Sequence, residues 1–244
     1  MTDVSQPTAQ RTSTLGAHTK QLIERLSLGN CADPFGCLGP YAFYPQAGVR
    51  VFLPGAKAVV LWDTKQKQVH MNAVGDGLFE YQCQDADELD LSLYQLGIDW
   101  GNCQETIYDP YQFHHIMPSL FDLHNPNQAY RDMGAQKHQI QVGDTLISGV
   151  RFLVYAPNAS AISVVSSFNL WNGTRHPLQR LNDGYWGVFI PGIDDGAQYK
   201  YEIKNNAGHS LPHKADPWGF QSESFPSLTS VVYDHSAYQW QDEA

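Results

Sequence analysis

Three short phrases of this sequence recur, in the same order, about a hundred residues downstream, the length of one immunoglobulin-like domain. Gly48-Val49-Arg50-Val51-Phe52 returns as Gly149-Val150-Arg151-Phe152-Leu153, and Gly77-Leu78-Phe79 returns as Gly184-Tyr185-Trp186. Asp109-Pro110-Tyr111-Gln112-Phe113 returns as Asp216-Pro217-Trp218-Gly219-Phe220. The offsets are 101, 107 and 107 residues, so the order is kept and the drift is one loop. Solenoid units are shorter than this, whereas one immunoglobulin-like sandwich has this length, so the economical reading is two copies of one domain.

Within each copy the local pattern is that of short strands and tight turns. Val49–Leu53 and Val59–Trp62 are strand-like runs separated by Pro54-Gly55, and Asp76-Gly77 turns the chain into Leu78–Tyr81. In the second copy, Val150–Val165 reads as two strands around Ala156-Pro157-Asn158-Ala159. Gly184–Pro191 alternates as a strand, Asp195-Gly196 turns, and Gln198–Ile203 alternates again. The 13 Tyr, 11 Phe and 6 Trp, with 20 Gly and 14 Pro, suit half-buried pleats punctuated by turns. One early helix is expected over Thr14–Leu26, with Leu22, Ile23 and Leu26 on one face, Ser13 and Thr14 as caps, and packing against another element. The expected fold is therefore all-β, two tandem immunoglobulin-like β-sandwiches with a short N-terminal helix. Residues 1–17 are read as a flexible N-terminus, 18–120 as the first sandwich, 121–235 as the second and 236–244 as the start of a linker. Between the copies, Leu120, Leu123, Tyr130 and Met133 suggest a short helix or turn packed at the junction.

Charge and motif content exclude several functions. A formal charge of −10, without a run of Lys or Arg, argues against nucleic acid and anionic membranes as partners. Residues 1–20 hold no apolar core suited to a signal or a membrane span, which implies a cytoplasmic protein. Cys31, Cys37, Cys83 and Cys103 form no C-x-x-C pair and read as reduced, structural thiols. The pairs His114-His115 and His209/His213 tempt a metal reading, but Pro212 breaks any helix that would align the second pair, and no third ligand is evident. Asp194-Asp195 precedes Gly196 and is turn chemistry. No G-x-S-x-G elbow, P-loop or dinucleotide fingerprint occurs, so no cofactor, metal or catalytic residue is assigned.

Trp171 is the residue that invites a binding role. It closes the run Ser166-Ser167-Phe168-Asn169-Leu170-Trp171, following a polar, turn-prone tripeptide after a strand has ended, so its indole is expected at the surface, where a flat apolar face suits a pyranose ring. The competing reading is a core tryptophan, which is what mid-strand Trp186 is taken to be. Lys200, midway along an alternating strand, is expected to face solvent and to donate hydrogen bonds to sugar hydroxyls.

Val150-Arg151-Phe152, Ala156-Pro157-Asn158-Ala159, Ser167-Phe168-Asn169-Leu170-Trp171, Tyr199-Lys200-Tyr201-Glu202 and Lys214-Ala215-Asp216-Pro217 together resemble carbohydrate-binding module family 48. In the first half, Asp33-Pro34-Phe35, Leu38-Gly39-Pro40, Val49–Ala56, Asp109-Pro110-Tyr111 and Leu120-Phe121-Asp122-Leu123 are similar to the extra N-terminal domain of bacterial 1,4-α-glucan branching enzymes. The resemblance covers roughly residues 18 to 242. It implies a weakly bound α-1,4-glucan as partner, with Trp171, Lys200 and Asn169 as contact residues. In that family a Tyr-x-Trp-x-Asp linker leads into a family 13 glycoside hydrolase barrel, which would be the second partner; Tyr238-Gln239-Trp240-Gln241-Asp242 fits the linker's start. The barrel's catalytic carboxylates have no counterparts here, so the chain alone is not expected to be an enzyme.

There is one departure of weight. Glucan-binding family members clamp the sugar between two tryptophans, and Asn205–Ser210 carries no aromatic where the second should stand. Three function classes stay open: accessory modules of a branching enzyme, a stand-alone glucan-binding regulatory protein, and a structural scaffold without a sugar site. The first predicts an exposed apolar patch near Trp218, Phe220, Phe225 or Trp240.

Overall fold

The computed structural model of the protein describes residues 17–43, 46–83, 89–117 and 129–234. Leu120, Leu123 and the linker-like residues 238–242 lie outside them, as do Ser13, Thr14 and Trp240. A helix, α1 (Ala17–Ser27), opens the described chain and buries Leu22, Ile23 and Leu26, the face its periodicity marks.

Eight strands follow: β1 (Gly39–Phe43), β2 (Gln46–Phe52), β3 (Ala58–Asp63), β4 (Gln68–His70), β5 (Asn72–Gly75), β6 (Leu78–Cys83), β7 (Tyr94–Asp99) and β8 (Gln104–Tyr108). They form two antiparallel sheets, β1-β2-β6-β5 and β4-β3-β7-β8. A short helix, α2 (Ala129–Asp132), precedes the second set. That set is β9 (Gly134–Val142), β10 (Thr145–Tyr155), β11 (Ala161–Ser166), β12 (Gln179–Arg180), β13 (Tyr185–Pro191), β14 (Gln198–Lys204), β15 (Gln221–Ser222) and β16 (Ser230–Val231). Its sheets are β9-β10-β13-β12 and β11-β14-β16-β15. The sheet orders superimpose strand for strand at β1-β2-β6-β5 and β9-β10-β13-β12, so the fold is all-β, with two sandwiches of like topology.

The repeated phrases repeat because the same contacts are needed twice. Gly77 and Gly184, at φ +87° and +85°, bring their backbone onto Pro54 and Pro157; a Cβ would lie 2.5 and 2.7 Å from the proline Cα. Only glycine combines a left-handed turn with that approach. The adjoining ladders match as well, with Leu53 N–H donating to Gly77 O at 2.7 Å and Ala156 N–H to Gly184 O at 2.9 Å. In each Asp-Pro phrase the aspartate closes a turn and receives a buried tyrosine. Asp109 accepts from Tyr111 N–H at 3.0 Å and Tyr94 O–H at 2.6 Å. Asp216 accepts from Trp218 N–H at 2.9 Å, Tyr199 O–H at 2.7 Å and Tyr201 O–H at 3.0 Å. Burial lifts both carboxyls above their ordinary range, Asp109 to about 6, against the pull of these donors.

The two halves share cores. One cluster is internal to the first sandwich and joins Val49, Leu61, Phe79 and Leu96. A second joins Leu22, Ile23 and Leu26 of α1, Leu38, Phe52 and Tyr111 to Val150, Phe152, Trp186 and Tyr201 of the second sandwich. Phe113 meets Phe189 edge-on at 5.5 Å in a third. Polar ties cross the same junction: Arg180 N–H donates to Ala32 O at 2.9 Å, and Tyr111 O–H to Pro177 O at 3.2 Å. The segment that precedes the first sandwich thus rests against the second, which is the packing α1 needs for an apolar face too short to be stable alone.

Candidate functional site

Strand β11 ends at Ser166, and the chain makes a tight turn over Ser167–Asn169 before reaching Trp171. Asn169 is fully buried. Its Oδ1 accepts from Ser166 N–H at 2.9 Å, and its Nδ2 donates to Val164 O at 2.8 Å and meets His176 Nδ1 at 2.9 Å. Burial, then the neighbouring Arg175, holds His176 down to about 3, so its imidazole is neutral and its Nδ1 accepts. The carboxamide is thereby committed to the loop, which it braces from within.

What the brace supports is an unusual pair of residues. Leu170 and Trp171 both stand at φ +57°, the left-handed region, with Trp171 N–H donating to Ser166 O at 2.8 Å. A bulky non-glycine residue in that region carries about 1–3 kcal/mol of strain. The result is presentation: Leu170 is 82% and Trp171 37% exposed, whereas Trp186 is fully buried, as its mid-strand position predicts. Exposure of Leu170 was not legible in the sequence, because a leucine after a strand reads as core.

Lys200 lies beside this loop. Ser166 pairs with Tyr199 and Val165 with Lys200 in the β11–β14 ladder, and Ser166 Oγ donates to Gln198 O at 2.5 Å. Lys200 is half-buried rather than fully solvent-facing, and its ammonium donates to Ser227 O at 2.7 Å. An ammonium carries three donors, so two are left without an acceptor among the described residues and stay available to a ligand. The loop it anchors exposes Phe225 (84%) and Leu228, and Trp218 and Phe220 are exposed on the same stretch. The turn after β14 is closed by Asn205 Oδ1, which accepts from Ala207 and His209 N–H.

The other face of the Trp171 loop meets the first sandwich. Arg175, with its side chain 7% exposed, lies 4.6 Å over the Trp100 ring and 3.8 Å from the Glu105 carboxylate. Neither Arg175 nor Trp100 was singled out in the sequence, since their pairing spans 75 residues of chain. Among the described residues no three His, Cys, Asp or Glu side chains are grouped to hold a metal ion, and no helix is long and apolar enough to cross a membrane.

Two family models match the chain in tandem. Residues 15–111 match the N-terminal domain of alpha-1,4-glucan branching enzyme GlgB, and residues 133–219, which hold Trp171 and Lys200, match carbohydrate-binding module 48, the isoamylase N-terminal domain. Over most of its length the chain is similar to the N-terminal region of 1,4-alpha-glucan branching enzymes. Curated relatives agree. The 1,4-alpha-glucan branching enzyme GlgB of Vibrio cholerae is 47% identical over 92% of this chain and 31% of that protein. The enzyme of the same name from Photobacterium profundum is 48% identical over 87% of this chain and 30% of that protein, and that from Nostoc is 38% identical over 91% and 29%. The chain spans about three tenths of the length of the curated relatives it matches.

Proposed function

We propose that this chain is the non-catalytic, glucan-facing part of a 1,4-alpha-glucan branching enzyme, holding α-1,4-glucan for transfer to α-1,6 branch points by the full-length protein. The observation that carries this reading is Trp171, kept at the surface by two left-handed residues and a buried brace. Strain at a loop tip is retained where the presented group has work to do. The flat indole stacks on a pyranose ring, and the two unused donors of Lys200 reach hydroxyls beside it. The family matches support the same ligand class.

The site is a weak one. A single stacking platform contributes roughly 1–3 kcal/mol by analogy with other flat-ring stacking, which places a short oligosaccharide in the millimolar region. Weak binding suffices for a module tethered beside a catalytic cleft, since tethering raises local glucan concentration. Retaining glycosyl transfer requires two carboxyls about 5 Å apart, one ionised and one protonated. The carboxyls that burial lifts here, Asp109 and Asp216, are committed to tyrosine hydroxyls and turn amides, so we assign this chain no catalysis of its own. The remaining partner is the enzyme's own catalytic barrel, for which the exposed Trp218, Phe220 and Phe225 offer an apolar face, and the compartment is the cytoplasm.

The test is a heteronuclear NMR titration with maltoheptaose, wild type beside Trp171→Ala. Saturable shifts around Trp171 and Lys200 that vanish in the variant establish the glucan module. Silence of the wild type at tens of millimolar ligand would replace it with a scaffold that has no sugar site.

A further inference from the structure

A groove runs between the two sandwiches. Its main part encloses about 430 Å³ and is lined by Gln95, Glu105, Thr106 and Tyr108 of the first sandwich and by Phe168 and Arg175 of the second, among others. That volume falls within the ~300–1,000 Å³ of ligand pockets. A smaller hollow of about 150 Å³ shares Gln95 and Tyr108 with it and continues to Trp62.

The chemistry of this lining is specific. Among the described residues Arg175 is the single guanidinium lining the main groove, and Glu105 lies 3.8 Å from it, so the charge there is balanced. An anionic ligand would compete with Glu105 for the guanidinium, which disfavours phosphates. The remaining lining combines ring and proline faces (Tyr108, Pro110, Phe168 and Pro191) and the aliphatic Ile107, Ile190 and Ile193 with His176 and the neutral hydrogen-bonding groups Gln95 and Thr106. Flat apolar faces, neutral donors and acceptors, and balanced charge together describe a site for a neutral polyhydroxylated chain.

We infer that the groove between the sandwiches is a second α-glucan subsite, taking a short oligosaccharide segment along β8 with the Arg175 guanidinium at one end. This rests on the reading of the chain as a glucan-binding region. The subsite and the Trp171 surface are built from the two sides of one loop: Phe168 and Arg175 face the groove, and Leu170 and Trp171 face solvent. A glucan long enough to touch both would bridge the sandwiches.

The experiment is the maltoheptaose titration repeated on Trp171→Ala and on Thr106→Arg. Thr106 lies on the exposed side of an edge strand, so a longer side chain fills the groove without entering a core. In Trp171→Ala, amide shifts at Gln95, Thr106, Tyr108 and Arg175 persist and saturate, while those at Lys200 are lost. In Thr106→Arg the pattern inverts, and Arg175→Lys, which keeps the charge, weakens the groove shifts several-fold. Loss of every shift in Trp171→Ala, with wild-type binding intact, overturns the second subsite and leaves the glucan reading standing. No shift anywhere in the wild type removes both.

Discussion

The two sandwiches differ most at one register position. Asp63 at the end of β3 pairs with Tyr94, and Ser166 at the end of β11 pairs with Tyr199. In the first sandwich Asp63 Oδ1 accepts from Lys65 and Lys67 N–H at 2.8 and 2.9 Å, and the chain returns at once as β4. In the second, Ser166 opens the loop that displays Leu170 and Trp171 and turns Arg175 toward the neighbour. A duplicated framework has kept its glycine, proline and aspartate contacts and changed its surface by exchanging a tight turn for a braced loop, which is how function is grafted onto a shared fold.

The largest effect is expected where the two halves cease to be separate. Leu26 is buried in the cluster that also contains Phe152 and Trp186, so Leu26→Ala removes packing from both sandwiches and costs about 2–5 kcal/mol. Hydrogen exchange checks this. Amides of β10 and β13 lose protection together with those of β2 and β6 if the cores are coupled. Loss confined to the first sandwich would show that α1 serves only its own half.

The repeated aspartates sharpen the comparison through pH. Asp109 titrates at about 6 in the fold because burial disfavours its charge, against about 3.9 in an unfolded chain. Between pH 4 and 6 the folded state therefore holds a proton that the unfolded state has released. Stability falls by about 3 kcal/mol as pH rises through that window and is flat above it. Asp216 is raised for the same reason and acts in the same direction. Asp109→Asn flattens the slope of unfolding free energy against pH between 4 and 6. An unchanged slope would mean that the carboxyl is ionised throughout.

A smaller difference separates the hydroxyls on these carboxylates. Asp109 receives one tyrosine and Asp216 receives two. Tyr94→Phe leaves Asp109 with its turn amide alone and is expected to cost about 1.5–3 kcal/mol at pH 7, the range for a hydrogen bond to a charged group. Tyr201→Phe leaves Tyr199 in place and costs about 1 kcal/mol or less. Urea unfolding of the two variants gives the order directly, and equal losses would remove the distinction.

The sequence carried the framework because its strongest constraints are local and repeated. Gly77 and Gly184, and the two Asp-Pro turns, are fixed by contacts that any copy of the sandwich must make, so they recur in the text itself. Trp171 was legible for a related reason, since a polar tripeptide after a strand marks the exit from the core. The burial of Asn169 was not legible because it depends on the Val164 carbonyl and on His176, seven residues on; alone it looks like any polar neighbour of an exposed aromatic. Alternation placed Lys200 on the outer face of β14 but gave no hint of Ser227, and nothing local announces that Arg175 meets Trp100 and Glu105. Contacts closed through the fold leave no periodic trace.

The smallest effect on stability belongs to the residue with the largest expected effect on binding. Trp171 is presented by its loop, and the loop's hydrogen bonds run through the Trp171 main chain and Asn169 rather than through the indole. Trp171→Ala should therefore change unfolding free energy by no more than about 0.5 kcal/mol, as for surface positions generally, while weakening maltoheptaose binding at that surface by roughly 5- to 100-fold. Thermal unfolding and the titration, run on the same sample, separate the two quantities. A loss of several kcal/mol would mean that the indole is part of the second core after all, and the difference between the sandwiches would then be one of packing. Retained binding with retained stability would leave Leu170 and Trp171 strained to no purpose at this surface and move the sugar-binding role elsewhere on the second sandwich.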